Sequence, residues 1–425
     1  MGWSTGNDKA LKDRARAVIP NGMFGHQSVG ALPEDYPQFF TRAEGAHLWD
    51  SDGNRYLDFM CGYGPNLFGY GHESINAAYI RQLQQGDTMT GPAPVMVDLA
   101  EALVAMVAHA DWAIFCKNGT DATTMAVTIA RQHTSKNTII LAKGAYHGAA
   151  PWCTPVKNGT TPQDRANQIF CDYNDVESLE AAVREAGTDL AAIIASPIKH
   201  DTFVDQQLPL SDYARRAREL CDEHGALLIV DDVRAGFRLA RDCSWSLVGI
   251  EPDLSCWGKA IANGHPLSAL LGSDKARQAA GSIYVTGSYW FSAAPLAASV
   301  ETLRLIRESD YLTHTGDLGT GLRAGLAGLA NLHGIGLKQS GPVTMPLILF
   351  EDDPGFARGY FFVEQLLKRG IYFHPWHNMF ICNAMTQVDI DATLNAADEA
   401  FAALAAAGPL GPVPQIEAMF SRRAR

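Results

Sequence analysis

The chain has 425 residues, 47% hydrophobic and 19% charged, with a formal net charge of −12. This is the composition of an ordinary globular protein with room for a large core and a second domain, and its acidic balance argues against nucleic acid or an anionic membrane surface as main partner. No uncharged apolar run reaches the roughly 18 residues of a membrane span. The eight cysteines include no C-x-x-C pair and no metal-ligand spacing, so neither a disulfide framework nor a metal centre is expected, and a reducing cytoplasm is the natural compartment.

Lys9 to Val18 reads as an amphipathic helix ending before Pro20, and the N-terminal stretch has no apolar signal core. A Gly-containing loop runs from Asn21 to Ala31. His47–Trp49 and Arg55–Phe59 flank Ser51-Asp52-Gly53-Asn54, a hairpin turn. An aromatic, Gly-rich loop, MCGYGPNLFGYGHESI, leads into a helix near Ser74. Trp112 to Cys116 is a strand, followed by Lys117-Asn118-Gly119-Thr120-Asp121-Ala122 and a helix to about His133. Strand, polar turn and helix start together make an anion site, because free N–H groups and the helix dipole face the same way. A plain N-cap would use the same residues.

Thr138 to Ala142 is the next strand, then Gly144-Ala145-Tyr146-His147-Gly148; Ala191 to Ala195 is another, ending at Ser196-Pro197. Ala226 to Val230 is a continuous apolar run, as in a strand buried on both faces of a parallel sheet. Asp231 and Asp232 stand where it ends, and open α/β sheets bind ligands outside the carboxyl ends of their strands. Leu254 to Trp257 is a further strand, followed at once by Gly258 and Lys259. A lysine amine can form a Schiff base with a carbonyl, and pyridoxal phosphate (PLP) is the commonest carbonyl so held. A carboxylate beside the pyridine nitrogen favours its protonated form. Taken alone, Asp231 could equally cap a helix and Lys259 stand in solvent. Leu267 to Leu271 is the strand after the lysine loop. Beyond it come VTGSYWFSAAPLAAS, a helix from Leu296 to Glu308, a helix from about Thr313, an alternating strand from Val343 to Phe350, a helix from Ala357 to Lys368, and GIYFHPWHNMFIC.

Asp231, Asp232, Val233, Gly236, Phe237, Arg238, Pro252, Asp253, Gly258, Lys259, Gly264 and Pro266 together resemble the signature of the class III PLP-dependent aminotransferases, with Asp232 where the family usually has Glu. Within the family the chain resembles the glutamate-1-semialdehyde aminomutase-like branch. It is similar above all to the fumonisin-degrading aminotransferases, in GAYHGA, DDVRAGFR, GIEPDLSCWGK and VTGS. The resemblance implies an α/β protein of PLP fold type I. A large domain with a mostly parallel seven-stranded sheet would span residues 74–312, and a smaller α/β domain would be built from both chain ends, 1–73 and 313–425.

It also implies roles. Lys259 holds the cofactor and moves the proton, and Asp231 pairs with the ring nitrogen. Tyr146 and Val233 cover the two ring faces, and His147 orients its loop. Asn118, Gly119 and Thr120 receive the phosphate, with Asn118 and Asp121 replacing the family's Ser and Glu. Ser288 stands where the family has a Thr that reaches the phosphate of the neighbouring subunit, so a homodimer with shared sites is expected. Ser196 replaces the usual Glu and is given no role.

The aminomutase binds its substrate carboxylate through an Arg of the N-terminal loop, a task suited to a planar guanidinium. Here the loop is Gly22-Met23-Phe24-Gly25-His26-Gln27-Ser28, without Arg or Lys. Phe24, Tyr63, Tyr289, Trp290 and Trp376 are expected around the entrance, and Arg234 as the cation for a keto-acid carboxylate. The sequence therefore reads as a transaminase that moves the amino group of a long-chain amine, rather than a common α-amino acid, to a keto acid such as pyruvate. An aminomutase or racemase, or a catalytically retired PLP-fold binding protein, are the alternatives.

Overall fold

The structure is a computed structural model describing residues 3–423; Met1, Gly2, Ala424 and Arg425, at the tips of the expected end segments, lie outside the described residues. The strands are β1 (Phe40–Glu44), β2 (His47–Asp50), β3 (Arg55–Asp58), β4 (Trp112–Cys116), β5 (Thr138–Ala142), β6 (Gln168–Cys171), β7 (Leu190–Ala195), β8 (Leu227–Asp231), β9 (Leu254–Trp257), β10 (Ser268–Gly272), β11 (Leu337–Ser340), β12 (Leu347–Phe350) and β13 (Ile371–Tyr372). The helices are α1 (Gly6–Val18), α2 (Glu73–Gln85), α3 (Val95–Met106), α4 (Gly119–Thr134), α5 (Val176–Ala186), α6 (Ser211–Glu223), α7 (Asp274–Ser282), α8 (Ala293–Glu308), α9 (Tyr311–Leu332), α10 (Ala357–Leu367), α11 (Gln387–Ala406) and α12 (Pro414–Arg423).

Seven strands form the main sheet in the order β4-β10-β9-β8-β7-β5-β6. All run parallel except β10, which is antiparallel to both neighbours. Alternate residues of one strand enter different cores. Ile193, Leu228, Val230 and Trp257 pack in a cluster with α3, α5, α6 and α8. Ile194, Leu227, Ile229 and Cys256 pack with α4 and α7 on the other face. Period-two alternation between two apolar faces is why these strands read as unbroken hydrophobic runs.

A third cluster joins residues from both ends of the chain, among them Tyr36, Phe59, Phe362, Phe380 and Phe401. Its sheet shows the same joining. β1, β2 and β3 form an antiparallel meander, and β13 adds to β3 in parallel. The hairpin turn between β2 and β3 is fixed by Asp50 Oδ1, which accepts from the N–H groups of Asp52 (2.9 Å) and Asn54 (2.8 Å).

The expected strand from Val343 to Phe350 is shorter than the alternation suggests. Met345 N–H turns back to Pro342 O (3.0 Å), Pro346 has no N–H to donate, and only Leu347–Phe350 pairs, with β11. β11 and the edge strand β6 have no strong apolar pattern, being only partly buried, and they escape a reading by periodicity.

Arg238, on the turn after β8, is buried and ties the parts together. Its Nε and Nη2 donate to Gly64 O (3.3 and 2.7 Å), and Nη1 donates to Ile381 O (3.1 Å). Its guanidinium lies 4.8 Å from the Phe380 ring centre. Arg238→Leu would leave two buried carbonyls without donors, at about 1–3 kcal/mol each. It is expected to lower the free energy of unfolding by about 2–4 kcal/mol in urea titrations; an unchanged midpoint would refute the clamp.

Candidate active site

The carboxyl ends of the parallel strands bring the expected residues to one edge. Asp231 closes β8 in register with Cys256 of β9, and Lys259 follows the end of β9. Lys259 has a left-handed backbone (φ 46°), a conformation that non-glycine residues adopt mainly where the surroundings enforce it. Gly258 precedes it with no room for a side chain, since a Cβ would stand 2.8 Å from Ser268 Oγ and 3.3 Å from Val233 Cγ1. Above the lysine passes Gly64, where a Cβ would meet Phe380 at 2.8 Å and Lys259 Cδ at 3.4 Å. Burial, with the nearby charge of Arg234, pushes the Lys259 amine down to about 8 against the partial opposition of Asp231.

Asp231 and Asp232 are neighbours with different surroundings. Asp231 Oδ2 lies 2.7 Å from His147 Nδ1, and its Oδ1 accepts from Val233 N–H (3.2 Å). Asp232 points into the core, accepts from Ser244 N–H (2.7 Å), and is pushed up to about 6 by burial. His147 is held in turn by Thr123 Oγ1, which donates to its carbonyl (2.7 Å). Its other ring nitrogen, Nε2, is buried without a hydrogen-bond partner among the described residues.

Asn118 precedes α4 as its N-cap, with its N–H donating to Asp121 Oδ2 (3.0 Å). Its amide Nδ2 also leans on Asp121 (3.4 Å), so Asn118 is engaged with the cap itself. Gly119 opens the helix against Val233, whose methyl carbons lie 2.8 and 2.9 Å from where a Cβ would be. Thr120 Oγ1 accepts from Ala149 N–H (3.1 Å), and at Gly148 (φ 125°) a side chain would strike that hydroxyl. The loop carrying Tyr146 and His147 is thereby stitched to the first turn of α4. Tyr146 is partly exposed.

Arg234 extends from the same turn. Its Nη1 donates to Asn378 Oδ1 (2.5 Å), and no carboxylate lies within ion-pair distance among the described residues. Burial lowers it to about 10, while Tyr146, Asp231 and Asp201 act on it in the opposite sense. The ring of Tyr63 meets His26 edge-on at 4.8 Å and His377 at 5.4 Å. His26 is held below the usual histidine range by burial and by the charges of Lys259 and Arg234.

The structure thus gathers Gly119, Thr120, Tyr146, His147, Asp231, Val233, Arg234 and Lys259, with Tyr63 beside Gly64. Phe24 (71% exposed), Tyr289 (69%) and Ser288 stand in solvent on the single chain. Trp290 folds back under Gly287 and packs beside the α4–α7 cluster. Trp376 stacks on Phe203 (4.3 Å) and meets His374 edge-on (4.3 Å). Sequence reasoning passed over His26, His200, His377 and Asn378. His200 follows β7 in SPIKHD and carried the same strand-end signal as Asp231; its Nδ1 is buried without a partner among the described residues. Asn378 and His377 come from the far end of the chain and carried no local signal.

These residues fit pyridoxal phosphate. The open first turn of α4 suits its phosphate, the carboxylate of Asp231 suits its ring nitrogen, and the Lys259 amine, with its hold on a proton weakened, suits its aldehyde. Residues 31–392 match the family Aminotransferase class-III. The chain is 56% identical over 396 residues to the aminopentol aminotransferase of Sphingopyxis macrogoltabida, covering 93% of this chain and 94% of that protein. It is 30% identical over 429 residues to a glutamate-1-semialdehyde 2,1-aminomutase of Polaromonas sp. (strain JS666), covering 92% and 96%. The solved PLP internal aldimine form of the FumI protein of Sphingopyxis sp. MTA144 superposes with a TM-score of 0.95 at 55% identity, covering 96% of this chain and 99% of that one. The chain belongs to the class III aminotransferases. It is a PLP-dependent transaminase of fold type I.

Two outcomes follow from the geometry. The Lys259 amine must be neutral to attack an aldehyde, and its value in the folded protein lies below that of free lysine. Capture of PLP by the apoprotein, followed by absorbance, should therefore speed up as pH rises through about 8 and then level off; a midpoint near 10.5, the ordinary lysine value, would contradict the site's electrostatics. Asp231→Asn keeps the shape but removes the charge, and should lower kcat by about 10²-fold or more; near-wild-type turnover would break the ring-nitrogen assignment.

Proposed function

We propose that the amino donor is a long-chain amino polyol of the hydrolysed-fumonisin kind and that the acceptor is a keto acid such as pyruvate. The observation that carries this reading is the charge of the pocket. Arg234 is a guanidinium neither paired with a carboxylate among the described residues nor, like Arg238, spent on backbone carbonyls, and it leans on a neutral amide. The N-terminal loop brings an imidazole, His26, where it could have brought a second cation. One carboxylate can be bound, which suits the keto acid. A donor with its own carboxylate would have to meet His26 and Tyr63, which repay poorly the cost of stripping its water. The relationship to an aminopentol aminotransferase supports the same donor class.

When bound, PLP supplies the carbonyl that takes up the amine and the electron sink for the carbanion. Tyr146 and Val233 would hold its ring between them, and Gly119 and Thr120 would offer N–H groups to its phosphate. The Asp231 carboxylate, itself oriented by His147, would favour a proton on the ring nitrogen. The Lys259 amine would anchor the aldehyde and serve as the base that takes and holds the proton of the substrate carbon. Arg234 then orients the keto acid through its carboxylate for the return half-reaction.

The working form is a homodimer in the cytoplasm. Ser288 is exposed on a loop that also displays Tyr284 (90% exposed) and Tyr289, an apolar surface that a partner chain would cover. No described helix is long and apolar enough to cross a membrane, and all eight cysteines are free.

Alanine formed from pyruvate measures the donor preference directly. Along a series of 2-aminoalkanes kcat/KM should rise with chain length, each buried methylene being worth about 0.8 kcal/mol. A flat series, with efficient conversion of glutamate-1-semialdehyde in the absence of any keto acid, would favour the aminomutase. Arg234→Ala should raise KM for pyruvate about tenfold or more, since a hydrogen bond to a charged group is worth roughly 1.5–3 kcal/mol; an unchanged KM would assign the carboxylate elsewhere. A fully active monomer at assay concentration would rule out shared sites.

A further inference from the structure

The family match covers residues 31–392, so α1 with its following loop, and the C-terminal stretch with α12, lie outside it. These two ends meet. Between α1, the loop after it and the start of α12 lies a cavity of about 330 Å³, within the size range of small-molecule sites. Lys12, Asn21, Met23, Ser28, Leu32 and Gln415 contribute to its wall. Both cations of the wall are already satisfied: Lys12 pairs with Asp8 (2.9 Å) and donates to Tyr36 O (2.8 Å), and Arg16 pairs with Asp13. Of the other polar groups, Glu34 carries a carboxylate that accepts hydrogen bonds, while Asn21, Ser28, Gln38 and Gln415 are neutral and both donate and accept, as an alcohol does. Met23 and Leu32 add apolar surface suited to methylenes.

The cavity adjoins the site. Met23 and Ser28 bracket the turn Gly25–Gln27, whose His26 meets Tyr63 beside the lysine roof. The turn is thus common to the cavity wall and the site, since His26 also feels the charge of Lys259. Asn21 is held in a left-handed conformation (φ 60°), which Asn tolerates better than most residues and which turns its peptide at the cavity's edge. α12 is docked through Ile416, only 1% exposed, at the end of the stretch Gly408-Pro409-Leu410-Gly411-Pro412, so its place is fixed by that contact more than by its link to α11.

We propose that this cavity is a tail subsite, receiving the far, hydroxyl-bearing part of the long-chain amine whose nitrogen reacts at Lys259. The proposal rests on the long-chain donor reading above. Amides, a hydroxyl and an accepting carboxylate beside thioether and aliphatic carbon match an alkyl polyol; an anionic tail would meet Glu34 and find both cations, Lys12 and Arg16, already paired.

The test uses the holoenzyme with two donors, hydrolysed fumonisin and 2-aminobutane, each with pyruvate. In the variant Asn21→Gly/Gln415→Ala, where glycine keeps the left-handed turn, the ratio of kcat/KM for the long donor over the short one should fall about tenfold, through KM of the long donor. Gln415→Asn should restore part of the ratio. An unchanged ratio, with the cofactor absorbance intact, would overturn the subsite. Should the double variant fail to load PLP, Gln415→Ala alone decides the matter on the same ratio. The two readings fail differently. A wild-type protein that makes alanine from 2-aminobutane but shows no preference for the long donor defeats the subsite and leaves the transaminase. One that makes alanine from neither amine defeats the donor assignment itself.

Discussion

Arg238 is a positive charge buried with no carboxylate against it among the described residues, compensated by backbone carbonyls and an aromatic face. Burying an unpaired charge is costly unless its hydrogen bonds are made, so the guanidinium constrains whatever surrounds it. It draws the loop at Gly64, from the N-terminal part, and Ile381, from the C-terminal part, onto the turn after β8. Gly64 is also the residue that passes over the Lys259 side chain with no space for a Cβ. The interaction that binds the chain ends to the sheet is thus the one that roofs the reactive amine. Closing the domain and shaping the site are a single event.

Within that roof the charges are few and each is answered differently. Asp231 is met by an imidazole, Asp232 by the hydroxyl and N–H of Ser244, and Arg234 by an amide. Burial and the charge of Arg234 loosen the Lys259 amine's hold on its proton, and the near carboxylate only partly offsets this. The result is an amine that gives up its proton more readily than an ordinary lysine beside a guanidinium that remains charged. That is what a site needs if one group is to carry protons and the other to bind a carboxylate, and it arises from burial and spacing rather than from any unusual residue.

Much of this was legible in the sequence because the floor of the site is local. Strand, acid, valine, glycine and lysine follow one another at the ends of β8 and β9, and each reports its place through patterning that a parallel sheet imposes. The strand expected at Leu267 to Leu271, found at Ser268–Gly272, was readable as a strand but not in its direction, which depends on partners far away in the chain. The walls were less legible for the same reason. His26, His377 and Asn378 meet only when the two ends fold together, and nothing in their neighbours announces it. The strand expected from Val343 failed at Pro346, where a missing N–H outweighs an alternating pattern. Ser288 was chosen by likeness to a family position that reaches a neighbouring subunit, and Phe24 and Tyr289 as aromatics of the entrance; on the single chain all three are exposed.

The reversed strand β10 has a consequence for the shape of the floor. It lies between β4, which leads to the first turn of α4, and β9, which leads to Lys259. Because it runs the other way, it brings its amino end, Ser268, to the edge where its neighbours send out loops. The loop after β9 therefore turns back into β10 on this edge, and Ser268 stands between the loops that follow β4 and β9, its Oγ 2.8 Å from where a Cβ of Gly258 would be. The strands that send out those two loops are held two strand spacings apart, about 9.5 Å. Such a gauge does not stretch: side-chain changes in the loops can alter what lines the floor but not the distance between its supports.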